Sequence, residues 1–168
     1  RSGRVVAPSK PLPKIQWESA AVVKKADSPD SNTTTTSITL SVMDNAASSK
    51  KPVMIFFTMN SKCRTGVNCI NMEKMVLGSP GVVKVASKFH AVKIDAKALS
   101  KEDLKALAKK YKVRSLPVVI FVSYNDKKLY ATAKTSGKRM VAIMNAIIKK
   151  NARIAKKEAK AAKKSNAS

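Results

Sequence analysis

The chain has 168 residues, 44% hydrophobic and 5% aromatic, with 34 Lys and Arg against 10 Asp and Glu, a net charge of +24. That length suits one domain with extensions, and the composition gives it a core of aliphatic and Met side chains. No apolar run reaches the roughly 18 residues that a membrane-spanning helix needs.

The charge is spread over the body and concentrated at the end. Residues 1–51 carry +4, residues 52–148 carry +13 and residues 149–168 carry +7, with eight basic side chains and one acidic. A basic body with a denser basic tail favours a polyanionic partner or an acidic protein assembly. A lysine-rich proteome or plain solubility explains the same charge. The start at Arg1 is what a processed mature product shows, and equally what a trimmed chain shows.

In chain order, "RSGRVVAPSKPLPK" (1–14) reads as an extended basic arm. "IQWESAAVV" supplies a short strand or helix, with Trp17, the single tryptophan, anchoring the arm. "KKADSPDSNTTTTS" (24–37) is polar and low in complexity, so a surface loop is expected, with an edge strand as the alternative. Residues 38–52 place Leu40, Met43, Ala46 and Ala47 at helical spacing, stopped by Pro52. "VMIFF" (53–57) is a continuous apolar run, as in a strand buried on both faces.

A loop containing Cys63 and Cys69 follows. A helix is expected from Cys69, with Ile70, Met72, Met75, Val76 and Leu77 as its apolar face and "GSPG" (78–81) as its end. Residues 82–89 predict a short helix and 90–96 a strand. "LSKEDLKALAKKYKV" (99–113) is the clearest helix, with Ser100 as N-cap and Asp103 at the capping-box position. Residues 116–124 predict a buried strand, and 129–133 pair back on it through the turn at 125–128. Met140, Val141, Ile143, Met144, Ile147 and Ile148 mark a terminal helix. Its Ala- and Lys-rich extension is helix-prone with almost nothing to bury, so order there requires a partner. The alternation of elements implies an α/β domain: a mixed central sheet flanked by helices.

Across residues 38–150 the pattern resembles the thioredoxin-like superfamily. "KPVMIFF", the cysteine loop opening a helix with "MEKM", "VKID" and "YKVRSLPVVIFVSYNDKKL" carry the resemblance. Ile15, Gln16 and Trp17 loosely resemble an early segment of extracytoplasmic relatives. The resemblance implies a cis Leu116–Pro117 bond and a substrate strand held beside Leu116 and Pro117. It also implies a location outside the cytosol, and the charge points to a place within a macromolecular assembly as the alternative. The expected organisation is a basic arm and loop (1–37), a thioredoxin-like domain (38–150) and a Lys/Ala-rich tail (151–168).

The cysteines depart from the family. Redox members carry C-x-x-C, with the first thiol at a helix N-terminus. Here the spacing is C-x5-C. Aligned through "MEKM", Cys69 takes the second cysteine's place, Gly66 the first's, and Cys63 lies upstream. A Cys63–Cys69 disulfide is expected outside the cytosol. The strand lacks the buried acid of many redox members, since Met54, Ile55, Phe56 and Phe57 are all apolar. Cys63, Cys69 and His90 fall short of a closed zinc site, so no metal and no cofactor are expected, and His90 reads as a packed or surface residue.

Two functions remain. In the first, the fold is a non-catalytic or weakly redox-active scaffold. Lys149, Lys150, Arg153, Lys156, Lys157, Lys160, Lys163 and Lys164 then bind a polyanionic assembly such as a nucleoprotein, a virion or an acidic surface layer. In the second, Cys63 and Cys69 form a redox pair, one attacking and the other resolving, with substrate beside Pro117. The spacing and the missing acid favour the first.

Overall fold

The computed structural model describes residues 13–26 and 36–166; the expected arm lies almost wholly outside them. At the centre of the molecule is β3 (Val53–Thr58), whose Val53 to Phe57 are all completely buried. It pairs parallel with β4 (His90–Asp95) and antiparallel with β5 (Val118–Val122), and β6 (Lys128–Thr132) pairs antiparallel with β5. The strand order is β4-β3-β5-β6.

The period of two in these strands sorts the core into two layers. Met54, Phe56, Val119 and Phe121 face one side of the sheet. There they meet α2 (Arg64–Met72), its π-helical continuation Glu73–Leu77, α3 (Pro80–Ala86) and α5 (Gly137–Asn166). Val53, Ile55, Phe57, Val118 and Ile120 face the other side, against α1 (Val42–Ser49) and α4 (Lys101–Tyr111). α4 starts as its sequence predicts: the Asp103 N–H donates to the Ser100 hydroxyl at 3.2 Å.

Trp17 anchors the incoming chain. Its ring stacks on Phe56 with centroids 6.1 Å apart, and Lys93 Nζ lies 5.5 Å from the ring. The Glu18 N–H donates to the Ala91 carbonyl at 2.7 Å, so this segment runs beside β4.

Three expectations are corrected. The stretch 24–37 is not simply a loop. β1 (Val22–Ala26) pairs antiparallel with β2 (Thr36–Leu40), so its two ends are strands. The helix expected over 38–52 therefore begins only at Val42, because Ile38 and Thr39 are β-branched and Leu40 buries in the core from a strand. Most consequential is α2, which starts at Arg64 and not at Cys69.

The C-terminal extension also packs more than its composition suggests. α5 runs without a break across residues 150 and 151. Asn151 is 3% exposed; its amide accepts from the Tyr124 N–H and donates to the Lys50 carbonyl, each at 2.9 Å. Ile154 and Ala155 pack on the core, and Glu158 takes hydrogen bonds from the Tyr124 hydroxyl and the Asn125 amide. The helix is docked on the body as far as Glu158.

Candidate functional site

β3 delivers the chain to the end of the sheet, where residues 59–62 turn into α2. Asp95, paired with Thr58 at the ends of their strands, fixes this turn: its Oδ1 accepts from the Asn60 N–H at 3.2 Å and the Lys97 N–H at 3.0 Å. The Asp95 carboxylate is a positioning group that the cysteine pattern does not reveal. Its signal is a short one, an aspartate closing a strand and bonding the backbone two residues on.

Cys63 is the N-cap of α2, extended at φ −72° and ψ 170°, and exposed. The Ser61 hydroxyl, then the backbone N–H of Gly66, then the N–H and hydroxyl of Thr65, favour its thiolate and lower the thiol to about 7. This is the physical chemistry of a nucleophilic thiol: unpaired N–H groups and the positive end of the helix dipole stabilise S⁻.

That placement shifts the alignment drawn from the sequence by three residues. Cys63 occupies the first-cysteine position, and Gly66, three residues on, stands where C-x-x-C has its second thiol. The site has no room for that thiol. A Cβ on Gly66 would lie 1.8 Å from the Ser61 carbonyl oxygen. The sequence pointed to a late helix start because Gly66 reads as a loop residue; in fact its missing side chain lets the 59–62 turn press against the first turn of α2.

Cys69 lies on the inner face of α2, 1% exposed. Six helical steps separate it from Cys63, a rise of about 9 Å, beyond the ~7 Å between Cα atoms that a disulfide tolerates. The expected bridge does not fit across this helix, and both cysteines are free thiols. The apolar face is also revised: Met72, Val76 and Leu77 are buried, whereas Ile70 and Met75 are 45% and 76% exposed.

A groove of about 730 Å³ begins at Arg64, the residue after Cys63. One wall is α2 and its continuation, with Arg64, Asn68, Met72 and Met75; the other is Ser115, Leu116 and Pro117, with Ala133 to Thr135 closing it. The Leu116–Pro117 bond is cis. The structure thus brings Leu116 and Pro117 to the same groove as Arg64, the residue after Cys63. A second concavity of about 550 Å³ flanks the loop on the other side, with Lys62, Val67, Ile70 and Lys97.

The remaining sequence candidates sit elsewhere. His90 opens β4 at the opposite end of the sheet, its Nδ1 2.6 Å from Glu18 Oε2 and its Nε2 2.7 Å from Ser49 Oγ. Both ring nitrogens are engaged, and among the described residues no three His, Cys, Asp or Glu side chains cluster as metal ligands. The eight cations of α5 from Lys149 to Lys164 are all exposed, and the helix carrying them crosses to the Lys50 end, away from Cys63.

No protein-family model matches the sequence, and no curated protein sequence matches it. Solved structures do. The chain is similar to a DsbH oxidoreductase with a TM-score of 0.59 at 22% identity, over 88% of this chain and 95% of that one. The oxidised C-terminal domain of Neisseria meningitidis DsbD gives 0.52 at 22% identity, over 62% of this chain and 89% of that domain. A thioredoxin from Thermus thermophilus gives 0.51 at 18%, over 63% and 80%. The mixed sheet, its flanking helices and these likenesses define a thioredoxin-like fold. Within it, this chain carries C-x-x-G at the helix start in place of a dithiol.

Proposed function

We propose that the protein carries out thiol–disulfide exchange through one thiol, Cys63. The observation that carries this reading is an exposed cysteine at the N-cap of α2, lowered to about 7, one residue before Arg64, which lines the groove walled by Leu116 and Pro117. The oxidoreductase among the similar structures supports it. It replaces the non-catalytic reading of the fold and the idea that Cys69 resolves.

In the exchange, the Cys63 thiolate attacks one sulfur of a substrate disulfide. A bond forms between Cys63 Sγ and that sulfur; the substrate S–S bond breaks, and the other sulfur leaves as a thiolate that takes a proton from water. With glycine at position 66, the mixed disulfide is resolved from outside the domain. A second thiol of the substrate attacks the substrate sulfur, closes a new disulfide there and returns Cys63 as thiolate. No net electrons are transferred, so the reaction class is disulfide isomerisation. The setting that fits is an oxidising, extracytoplasmic compartment, where substrate disulfides persist.

The test is recovery of activity from a small protein with scrambled disulfides, with trapped intermediates identified by mass spectrometry. The wild-type chain and Cys69→Ala are expected to work and to trap substrate on Cys63, while Cys63→Ser does neither. Full activity in Cys63→Ser would refute the proposal.

A further inference from the structure

The basic residues at the end of α5 form a seven-residue repeat: "KKNARIA" (149–155), "KKEAKAA" (156–162) and "KK" (163–164). On a helix this repeat has a geometric meaning. At about 100° per residue, all eight cations fall within an arc of about 140°. Lys149, Lys156 and Lys163 form one row; Lys150, Lys157 and Lys164 form a second; Arg153 and Lys160 run between them. Successive members of a row are about 10.5 Å apart, drifting only about 20° per repeat. The opposite face holds Asn151 and Glu158, the groups that dock the helix on the body. None of the eight cations makes an ion pair among the described residues.

We infer that this face of α5 binds the backbone of a nucleic-acid duplex without reading its sequence, one lysine row toward each strand bordering a groove. Dimensions select the duplex, which presents two phosphate lines bordering a groove. A helix with its side chains is about 10–12 Å across and a major groove about 12 Å wide. The face carries no aromatic side chain for stacking single-stranded bases and no apolar one to enter a membrane interface. Seven of the eight cations are lysines, point charges that neutralise phosphate without the fork that reads a base edge. The inference rests on α5 alone and is independent of the thiol reading.

The experiment measures binding of the full chain to a mixed-sequence DNA duplex by fluorescence anisotropy, from about 50 to about 200 mM salt. The comparison is with a variant bearing Lys156→Gln, Lys157→Gln, Lys160→Gln, Lys163→Gln and Lys164→Gln. Each lost phosphate contact flattens the plot of log affinity against log salt by about 0.9, so the variant with five substitutions is expected to lose a slope of about 4.5 and bind at least tenfold more weakly at the low-salt end. The same five positions changed to Arg are expected to keep duplex binding, which separates loss of charge from loss of fold. An unchanged slope in the Gln variant overturns the inference. So does tighter binding of the wild-type chain to a sulfated polysaccharide or to anionic vesicles than to the duplex.

Discussion

Gly66→Ala tests the heart of the site. The added methyl meets the Ser61 carbonyl oxygen at 1.8 Å and the Ser61 carbonyl carbon at 2.6 Å, both backbone atoms that no rotamer change moves away. Either the 59–62 turn or the first turn of α2 must shift. Overpacking of this kind costs about 3 kcal/mol at the upper end of its usual range, because the contact is with backbone. Replacing Gly by Ala inside a helix returns about 1 kcal/mol. The net expectation is destabilisation by about 2 kcal/mol, which for a chain of this size lowers Tm by about 4–8 °C. The assay is thermal unfolding under reducing conditions, followed by circular dichroism. The shift should also disturb the Ser61 hydroxyl and Gly66 N–H that stabilise the Cys63 thiolate, so the thiol should titrate higher. A Tm equal to or above wild type, with unchanged thiol titration, would refute the packing argument, since helix propensity alone would then be deciding the outcome. Gly66→Cys faces the same clash and is expected to be destabilised similarly.

Alkylation of Cys63 should follow a pH profile with its midpoint near 7, and Ser61→Ala should move that midpoint upward, because the Ser61 hydroxyl is the largest cause of the lowered value. Since the folded thiol lies below its unfolded counterpart, the linked stability is present at alkaline pH and lost as pH falls through about 7; urea titrations at pH 6 and pH 9 of wild type and Cys63→Ser should show a difference only at the higher pH. Asp126→Ala removes the acceptor of the buried Tyr111 hydroxyl at 2.8 Å and of Lys110, so a loss of about 1–3 kcal/mol is expected in urea unfolding. Asn151→Ala leaves the Tyr124 N–H and the Lys50 carbonyl without their partner. It should cost about 2–4 kcal/mol and lower helicity at the C-terminal end of α5, read by hydrogen exchange.

The central sheet was legible because its residues answer to a single demand. "VMIFF" and "VVIFV" are buried on both faces, and a run of large apolar residues says so directly. Ser100 and Asp103 announced α4 through local capping chemistry that needs no tertiary information. The start of α2 was illegible for the opposite reason. Thr65, Gly66 and Val67 are poor helix formers, and what holds them helical is the turn packed on Gly66, a contact invisible in a linear reading. An error of five residues there left Cys63 upstream of the helix that it caps. The partition of the apolar residues on that helix failed with it, because the π-helical turn at Glu73–Leu77 rotates Met75 outward. The cis Leu116–Pro117 bond was legible because it belongs to a motif; Asp95 was missed because it reaches the turn through the backbone amide of Asn60, 35 residues earlier.

α5 has a boundary that its secondary structure conceals. Up to Glu158 the helix is held by side chains of the body; residues 159–166, though helical, are exposed throughout. Opening of a helix end whose side chains are all exposed takes little free energy, so this end offers a protease cutting after basic residues the bonds at Lys160, Lys163 and Lys164. Digestion would shorten the chain from that end and pause where Glu158 meets Tyr124, leaving the domain intact. A cell that needed the domain without its outermost charge would obtain it by trimming, with no change to the fold.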